Sequence, residues 1–293
     1  MTVKNKIGFC ILHFHAIDET VNCILSIKEN IDTDNYEIVV VDNNSSNGTG
    51  EILRKKYIND EKVTIILNKE NLGFARGNNV GFKYLKDKGK CNYIVMLNND
   101  VVLKSKNIYT ESIKEYKNSK FAVMGPKIYD KNNEYGQVGE FIDNPKIVKK
   151  NIFVLYFLLL LSYIRMLKIF IKLKKKTNSV INTNDGIRKE NIMLHGCFWI
   201  FSPTYVKPFD GLDGRTFLYG EEDLLYIRLL KNHMTSIYNP KIVIQHLEDV
   251  ATNKSEKNFY KKKIRMYKNL IYSSKIILSE LKEIKDEGYE KTK

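Results

Sequence analysis

Cysteine is scarce and unpatterned in this chain. There are 4 in 293 residues, and Cys10, Cys23, Cys91 and Cys197 stand far apart in apolar surroundings with no C-x-x-C pair. That distribution speaks against a disulfide framework or a zinc site and fits buried thiols in a reducing cytoplasm. Long apolar character is lacking near Met1 too: Met1 to Lys6 leads into only a short apolar strand, Ile7 to Leu12, before His13, and this strand is not expected to act as a secretory h-region. The body of the chain is therefore expected in the cytosol. No apolar run reaches the roughly twenty residues that a spanning helix needs; the most apolar segment, Ile152 to Ile164, has thirteen. Negative charge is in deficit, with 34 acidic against 48 basic residues and a net charge of +14. The excess concentrates at Lys168 to Lys176 and Lys254 to Lys275, the first directly beside the apolar segment. Such placement favours an anionic membrane surface over nucleic acid as the partner.

The length suits one large α/β domain carrying an inserted segment. Strand and helix signals alternate through the first hundred residues: strands at Ile7–Leu12, Glu37–Val41, Val63–Leu67 and Tyr93–Leu97, and helices at Glu19–Glu29, Thr49–Tyr57 and Phe74–Lys86. This is a βαβαβαβ pattern. Further along, a helix is expected near Ser105–Asn118, a strand at Phe121–Met124 ending in Gly125-Pro126, and strands at Cys197–Phe201 and Lys241–Gln245. Between them, the apolar segment is expected to continue as one helix. Arg165, Lys168, Lys172 and Lys176 then form a basic stripe beside Met166, Leu167, Ile169, Phe170 and Leu173, as in a helix lying in a membrane interface. The alternative is a helical hairpin packed on the protein. A basic C-terminal helix should use Ile264, Tyr267, Ile271, Ser274, Leu278 and Leu281 as its apolar face.

Two strands end in polar clusters. Tyr93 to Leu97 runs into Asn98-Asn99-Asp100, and Ile38 to Val41 runs into Asp42-Asn43-Asn44-Ser45. Continuous apolar runs suit strands buried on both faces of a parallel sheet, and ligands of open α/β sheets sit at the carboxyl ends of such strands. A carboxylate with amides there can hold Mg²⁺ or Mn²⁺ together with a polyphosphate, since these hard cations take oxygen ligands and share them with substrate phosphates. Asn47-Gly48-Thr49-Gly50 and Asn71-Leu72-Gly73 break the chain where a phosphate or base could approach the backbone.

Taken in order, Ile38 to Ser45, Asn71 to Gly81, Leu97 to Asp100, Phe217 to Asp223 with Arg228, and His246 resemble the family 2 inverting glycosyltransferases. The likeness is greatest to the rhamnosyltransferase-like branch that builds bacterial surface polysaccharides. The resemblance implies a GT-A fold, with a Rossmann-like nucleotide-binding half over residues 1–126 and an acceptor half over 190–248. A membrane-associating insertion (146–189) lies within this domain (1–248), and a basic helical tail (249–293) follows it. It also implies a nucleotide-diphosphate sugar donor, a lipid-linked saccharide acceptor, and a divalent metal, Mn²⁺ or Mg²⁺, at the cytoplasmic face of the membrane.

By the same resemblance Asp42 reads the base or ribose, and Asn71, Gly73 and Asn79 lie beside the nucleotide. Asn98-Asn99-Asp100 stands for the D-x-D element with its first acid replaced. Asp100 then carries the metal contact and His246 supplies a second ligand, which inclines the site toward Mn²⁺. His13 and His15 fall at the first strand end, in reach of the base. Aligning Arg228 with the family's arginine puts Glu222 on the general base, with Glu221 and Asp223 as alternates. Arg228 and Trp199 are candidates for the acceptor side, although Trp199 equally suits the core. A nucleotidyltransferase would share the sheet and the metal acid. It should carry a Gly-rich basic loop after the first strand, where this chain has Leu12-His13-Phe14-His15-Ala16. A non-catalytic RNA or lipid binder is the third alternative.

Overall fold

The computed structural model describes residues 5–130, 141–173, 186–247 and 258–286. The first half folds as β1 (Ile7–His13), α1 (Ile17–Asn30), β2 (Tyr36–Asp42), α2 (Thr49–Lys56), β3 (Val63–Leu67), α3 (Phe74–Asp87) and β4 (Tyr93–Asn98). These strands are parallel, with His13 opposite Asp42 and Leu12 opposite Asn98. That register brings three strand ends to one edge of the sheet. The remaining elements are β5 (Val101–Leu103), α4 (Ile108–Ser119), β6 (Val123–Tyr129), α5 (Pro145–Tyr163), α6 (Leu167–Leu173), β7 (Lys189–Glu190), β8 (Phe198–Phe201), α7 (Pro203–Val206), α8 (Glu221–Lys231), β9 (Ser236–His246) and α9 (Phe259–Asp286). The sheet order is β3-β2-β1-β4-β8-β6-β9-β5, with β7 on β9. It is a mixed sheet, since β8 runs antiparallel to β4 and β6, whereas β9 runs parallel to β6.

Strand alternation divides the core between the two faces. Phe9, Ile11, Ile38 and Val40 pack under α1 and α4, while Cys10, Val39 and Val41 face α3 and the aromatics Trp199, Phe201 and Tyr205. Two strands outrun their expected limits. β6 continues through Gly125-Pro126, and β9 begins at Ser236, because a register shift takes up the irregularity: Asn239 pairs with Pro126, and Val243 pairs with Lys127. A bulge at this point accommodates the prolines, which cannot donate to a regular ladder.

The single long helix expected through the insertion is broken. Ile164 to Met166 interrupt it, with Arg165 at φ +59°, so Arg165 sits in the break, Lys168 on the next helix, and Lys176 lies outside the described residues. One side of α5 packs on α9, with Leu161, Leu167 and Tyr267 buried together. The opposite side is exposed: Phe153, Phe157, Leu160 and Ile164 follow helical spacing, and Phe153 is 76% exposed. Packing and exposure thus occupy different sides of the same helix. Among the described residues no helix is long and apolar enough to cross a membrane. On α9 the buried face runs through Tyr267, Ile271, Ser273, Ile277, Leu281 and Ile284. It is rotated from the expected Ser274 and Leu278 because the helix must also cover α8, where Ile277 and Leu281 meet Leu224 and Ile227.

Candidate functional site

The carboxyl edge of the first-half sheet starts with Asp42 and Asn43. Asn43 is buried and satisfied on every side: its Nδ2 donates to Asn71 Oδ1 (2.9 Å) and the Gly73 carbonyl (3.1 Å), and its Oδ1 accepts from Leu72 N (2.9 Å) and Asn68 Nδ2 (3.3 Å). Asn43 therefore organises the loop containing Asn71 and Gly73. Asp42 is buried beside Gly50, where a Cβ would lie 2.4 Å from its carboxylate. Its Oδ2 accepts Ser45 N (3.2 Å), whereas its Oδ1 is buried with no hydrogen-bond donor. Such an oxygen suits a ligand N–H or hydroxyl.

His13 is a wall rather than an edge of this site. It is fully buried, with Nδ1 2.7 Å from Thr20 Oγ1 and Nε2 2.8 Å from Thr49 Oγ1. Burial drops its pKa to about 4, against the opposing pull of the Asp42 charge. A neutral ring with both nitrogens engaged cannot read a base, so the expected direct contact is corrected to support of Thr49 and Thr20. His15 is half-buried, stacked on Phe14 and accepting Ser46 N at 3.1 Å, and it remains at the rim.

β4 ends the other side. Asn99 turns inward, donating to Thr20 Oγ1 (3.0 Å) and the Ala16 carbonyl (3.3 Å), so its expected donor-binding role gives way to anchoring β4 on α1. Asn98 lies 3.5 Å from His246 Nε2. Asp100 precedes β5, and Val101 pairs with His246 across the antiparallel β5–β9 ladder, which brings the carboxylate to the imidazole. His246 Nε2 is 3.1 Å from Asp100 Oδ1, and both side chains are buried. Yet Oδ1 accepts no aligned hydrogen bond. A buried carboxylate oxygen and a ring nitrogen that converge without a proper hydrogen bond are the donors a divalent cation would take, so the residues fit such an ion. Two further donors, absent from the expected set, complete the neighbourhood. His195, Cys197 and His246 hold their ligand atoms within 4.8 Å of one another. The only signal for the first two was the triplet His195-Gly196-Cys197, which shares no spacing with common zinc patterns.

The acidic triplet opens α8 and separates into distinct environments. Glu221 is buried, accepting Thr216 Oγ1 at 3.1 Å, and burial raises its pKa to about 7. Burial, then the Glu222 charge, raises Asp223 to about 6. Glu222 reaches toward the metal-type donors: its Oε1 accepts Gly196 N at 3.1 Å, and a Cβ on Gly196 would stand 2.6 Å from that oxygen. The segment leading into α8 is tied to the start of α3 as well. Phe74 N donates to Phe217 O (2.8 Å), and Gly73, at φ +79°, leaves no room for a Cβ, which would fall 2.2 Å from that carbonyl. Gly73 thus serves a backbone-to-backbone approach inside the protein.

Three other expected contacts are corrected. Asn79 spends both amide atoms on Leu212, donating to its carbonyl (2.9 Å) and accepting its N–H (2.7 Å), so it clamps a loop instead of the nucleotide. Trp199 is 0% exposed within the core beside Phe74 and Phe201, which rules out stacking on a sugar. Arg228 donates to Tyr205 Oη (2.8 Å) and the Gly211 carbonyl (2.6 Å) and lies over Phe209. It therefore fixes the 205–211 loop rather than touching an acceptor.

The model of Glycosyl transferase family 2 matches residues 9–192 of the chain. Among solved structures, the chain is similar to the mannosyltransferase PcManGT from Pyrobaculum calidifontis in complex with GDP-Man and Mn²⁺, at 12% identity over 98% of this chain and 77% of that one, with a TM-score of 0.53. It is also similar to GalNAc-T7 with UDP, GalNAc and Mn²⁺, at 11% identity over 84% of this chain and 43% of that one, with a TM-score of 0.56. A third, S. aureus TarS 1-349 in complex with UDP-GlcNAc, aligns at 18% identity over 47% of this chain and 38% of its own, with a TM-score of 0.39. The chain thus spans less than half of the GalNAc-T7 and TarS 1-349 chains. At such identities the first two show a shared fold, the mixed α/β GT-A fold. No curated protein sequence matches the chain.

Proposed function

The chain belongs to glycosyl transferase family 2, and on that premise we propose that it is a metal-dependent inverting glycosyltransferase using a nucleotide-diphosphate sugar. The observation that carries this reading is the buried Asp100–His246 pair, 3.1 Å apart with an unsatisfied carboxylate oxygen, on the same sheet edge as Asp42. The Mn²⁺ complexes of PcManGT and GalNAc-T7 support a divalent ion here as well. Asp100 and His246 would hold it, and when bound it offsets the charge of the leaving diphosphate. Asp42 takes the base or ribose with its unpaired Oδ1. Glu222, held by Gly196 N, accepts the acceptor hydroxyl proton. As that oxygen bonds to the anomeric carbon, the bond from that carbon to the diphosphate breaks, and the electron pair leaves with the diphosphate. Inversion follows from a single displacement.

The division into a nucleotide half (1–126), an acceptor half (190–248), a membrane-associating insertion (146–189) and a tail (249–293) belongs to this proposal. So do a lipid-linked acceptor and a role in surface polysaccharide synthesis of the rhamnosyltransferase-like kind, at the cytoplasmic membrane face. The membrane attachment is supported by the exposed row Phe153, Phe157, Leu160 and Ile164. Beside it Lys268 lies over Tyr163 and Lys275 over Tyr156, so apolar insertion and attraction to anionic headgroups, about 1 kcal/mol per charge, act on one face. Flotation with anionic vesicles should carry the wild type, and replacing the four apolar residues with Ser should release it. Equal flotation of both would put the membrane contact elsewhere. A thermal-shift panel of nucleotide sugars, with and without Mn²⁺, tests the main reading. Metal-dependent stabilisation by one nucleotide sugar supports it, whereas stabilisation only by nucleoside triphosphate with a sugar phosphate favours a nucleotidyltransferase.

A further inference from the structure

Nothing in a diphosphate-bound Mg²⁺ or Mn²⁺ site requires sulfur, yet a thiol stands among the donors here. Cys197 is buried where the chain enters β8, and its carbonyl accepts Asn98 N (2.9 Å), fixing it to the strand that delivers Asp100. His195 Nδ1 accepts Cys197 N at 3.1 Å, which holds that ring over the same turn, and its ring centre lies 5.7 Å from that of His246. One thiol and two imidazoles have ligand atoms within 4.8 Å of one another. In a tetrahedral site with Zn–S near 2.3 Å and Zn–N near 2.0–2.1 Å, neighbouring ligand atoms are about 3.3–3.6 Å apart. A contraction of about 1 Å, within the reach of side chains on a turn, would close the set.

We infer that His195, Cys197 and His246, with Asp100 at the edge, form a binding site for a thiophilic divalent cation of the Zn²⁺ class. Binding displaces the Cys197 thiol proton to solvent and leaves a thiolate–metal bond. Thiolate and imidazole donors hold Zn²⁺ and Co²⁺ more firmly than Mg²⁺ or Mn²⁺. Because His246 is shared, a bound Zn²⁺ competes with the harder ion that supports donor binding, and Zn²⁺ inhibits the enzyme. The inhibition rests on the proposed role of His246 in donor binding; the metal site itself does not.

Co²⁺ titration of the metal-free, reduced full-length protein reads the site optically. The wild type should give tetrahedral Co²⁺ bands with a thiolate-to-cobalt charge-transfer band that stoichiometric Zn²⁺ abolishes. Cys197→Ser should lose the charge-transfer band and weaken Co²⁺ binding at least tenfold, while Cys91→Ser keeps both. His195→Gln, at a less buried position, should weaken binding at least tenfold and keep the charge-transfer band, which preserves the test if Cys197→Ser fails to fold. A wild-type spectrum without thiolate character, or one unchanged in Cys197→Ser, overturns the inference. A normal cobalt spectrum with no binding of any nucleotide sugar would instead leave this site standing and sink the glycosyltransferase reading.

Discussion

The Asn43 and Asp100 clusters of the candidate site are built to opposite rules. Around Asn43 four hydrogen bonds close on one side chain, and nearby His13 has both ring nitrogens engaged. Around Asp100 a carboxylate oxygen is buried without a donor, facing an imidazole with two further metal-type donors close by. Burying an unsatisfied polar atom costs about 1–3 kcal/mol, so the carboxylate oxygens left without a donor, Asp100 Oδ1 here and Asp42 Oδ1 beside the Asn43 cluster, mark where a ligand is expected to supply the partner. Saturated polar groups set the shape of a site. Unsaturated ones do its binding.

That contrast can be broken from the unsaturated side first. Asp100→Asn should lower transfer about 10³-fold or more, since the charge it would supply to the proposed metal is worth several kcal/mol, while the melting temperature stays within a few degrees. Steady-state assays check this; activity within about tenfold of wild type, a barrier change near 1.4 kcal/mol, would remove Asp100 from the metal. Glu222→Gln comes next. It should keep donor affinity and lower turnover about 10²-fold or more, in the range of general-base contributions. If Glu221→Gln or Asp223→Asn gave the larger loss, the base would be assigned to that residue instead.

The acidic helix offers a test by pH. Burial raises Glu221 from 4.5 to about 7 in the folded protein, so the folded state binds the extra proton. The resulting stability is fully present below pH 4.5 and is lost as pH rises through about 7. The loss is about 3 kcal/mol at about 1.4 kcal/mol per pKa unit. Denaturant melts should therefore show Glu221→Gln gaining on wild type between pH 4.5 and 7 and holding that gain above it; parallel pH profiles would contradict the assignment. The smallest effect belongs to the saturated cluster around Asn43. Asn43→Ala should cost about 2 kcal/mol of stability by orphaning Leu72 N and the Gly73 carbonyl, and should weaken donor binding only through the displaced loop. A melt together with donor calorimetry separates the two effects.

Much of this was legible in residues alone. The apolar runs ending at Asp42 and Asn98 announced parallel strands with their polar ends together, because burial on both faces leaves a continuous apolar signature. Asp100 meets His246 because an antiparallel ladder joins β5 to β9, and Glu222 is held by Gly196 between His195 and Cys197. What stayed hidden were pairings across distance. Asn79 and Arg228 carry polar side chains that suit a ligand equally well, and only the fold shows Leu212 and Gly211 claiming them. Trp199 could not be separated from a surface stacker because burial is not written in its identity. Cys197 gave no metal signal, because its partners stand two residues and 49 residues away rather than in a local pair.

The most direct test of the central claim is calorimetric titration of the nucleoside diphosphate from whichever donor stabilises the protein, with and without Mn²⁺, into wild type and Asp100→Asn. The account predicts binding to the wild type that depends on Mn²⁺ and a loss of that dependence in the variant, with any residual binding equal to the metal-free value. Metal-dependent affinity of equal size in both proteins would contradict it.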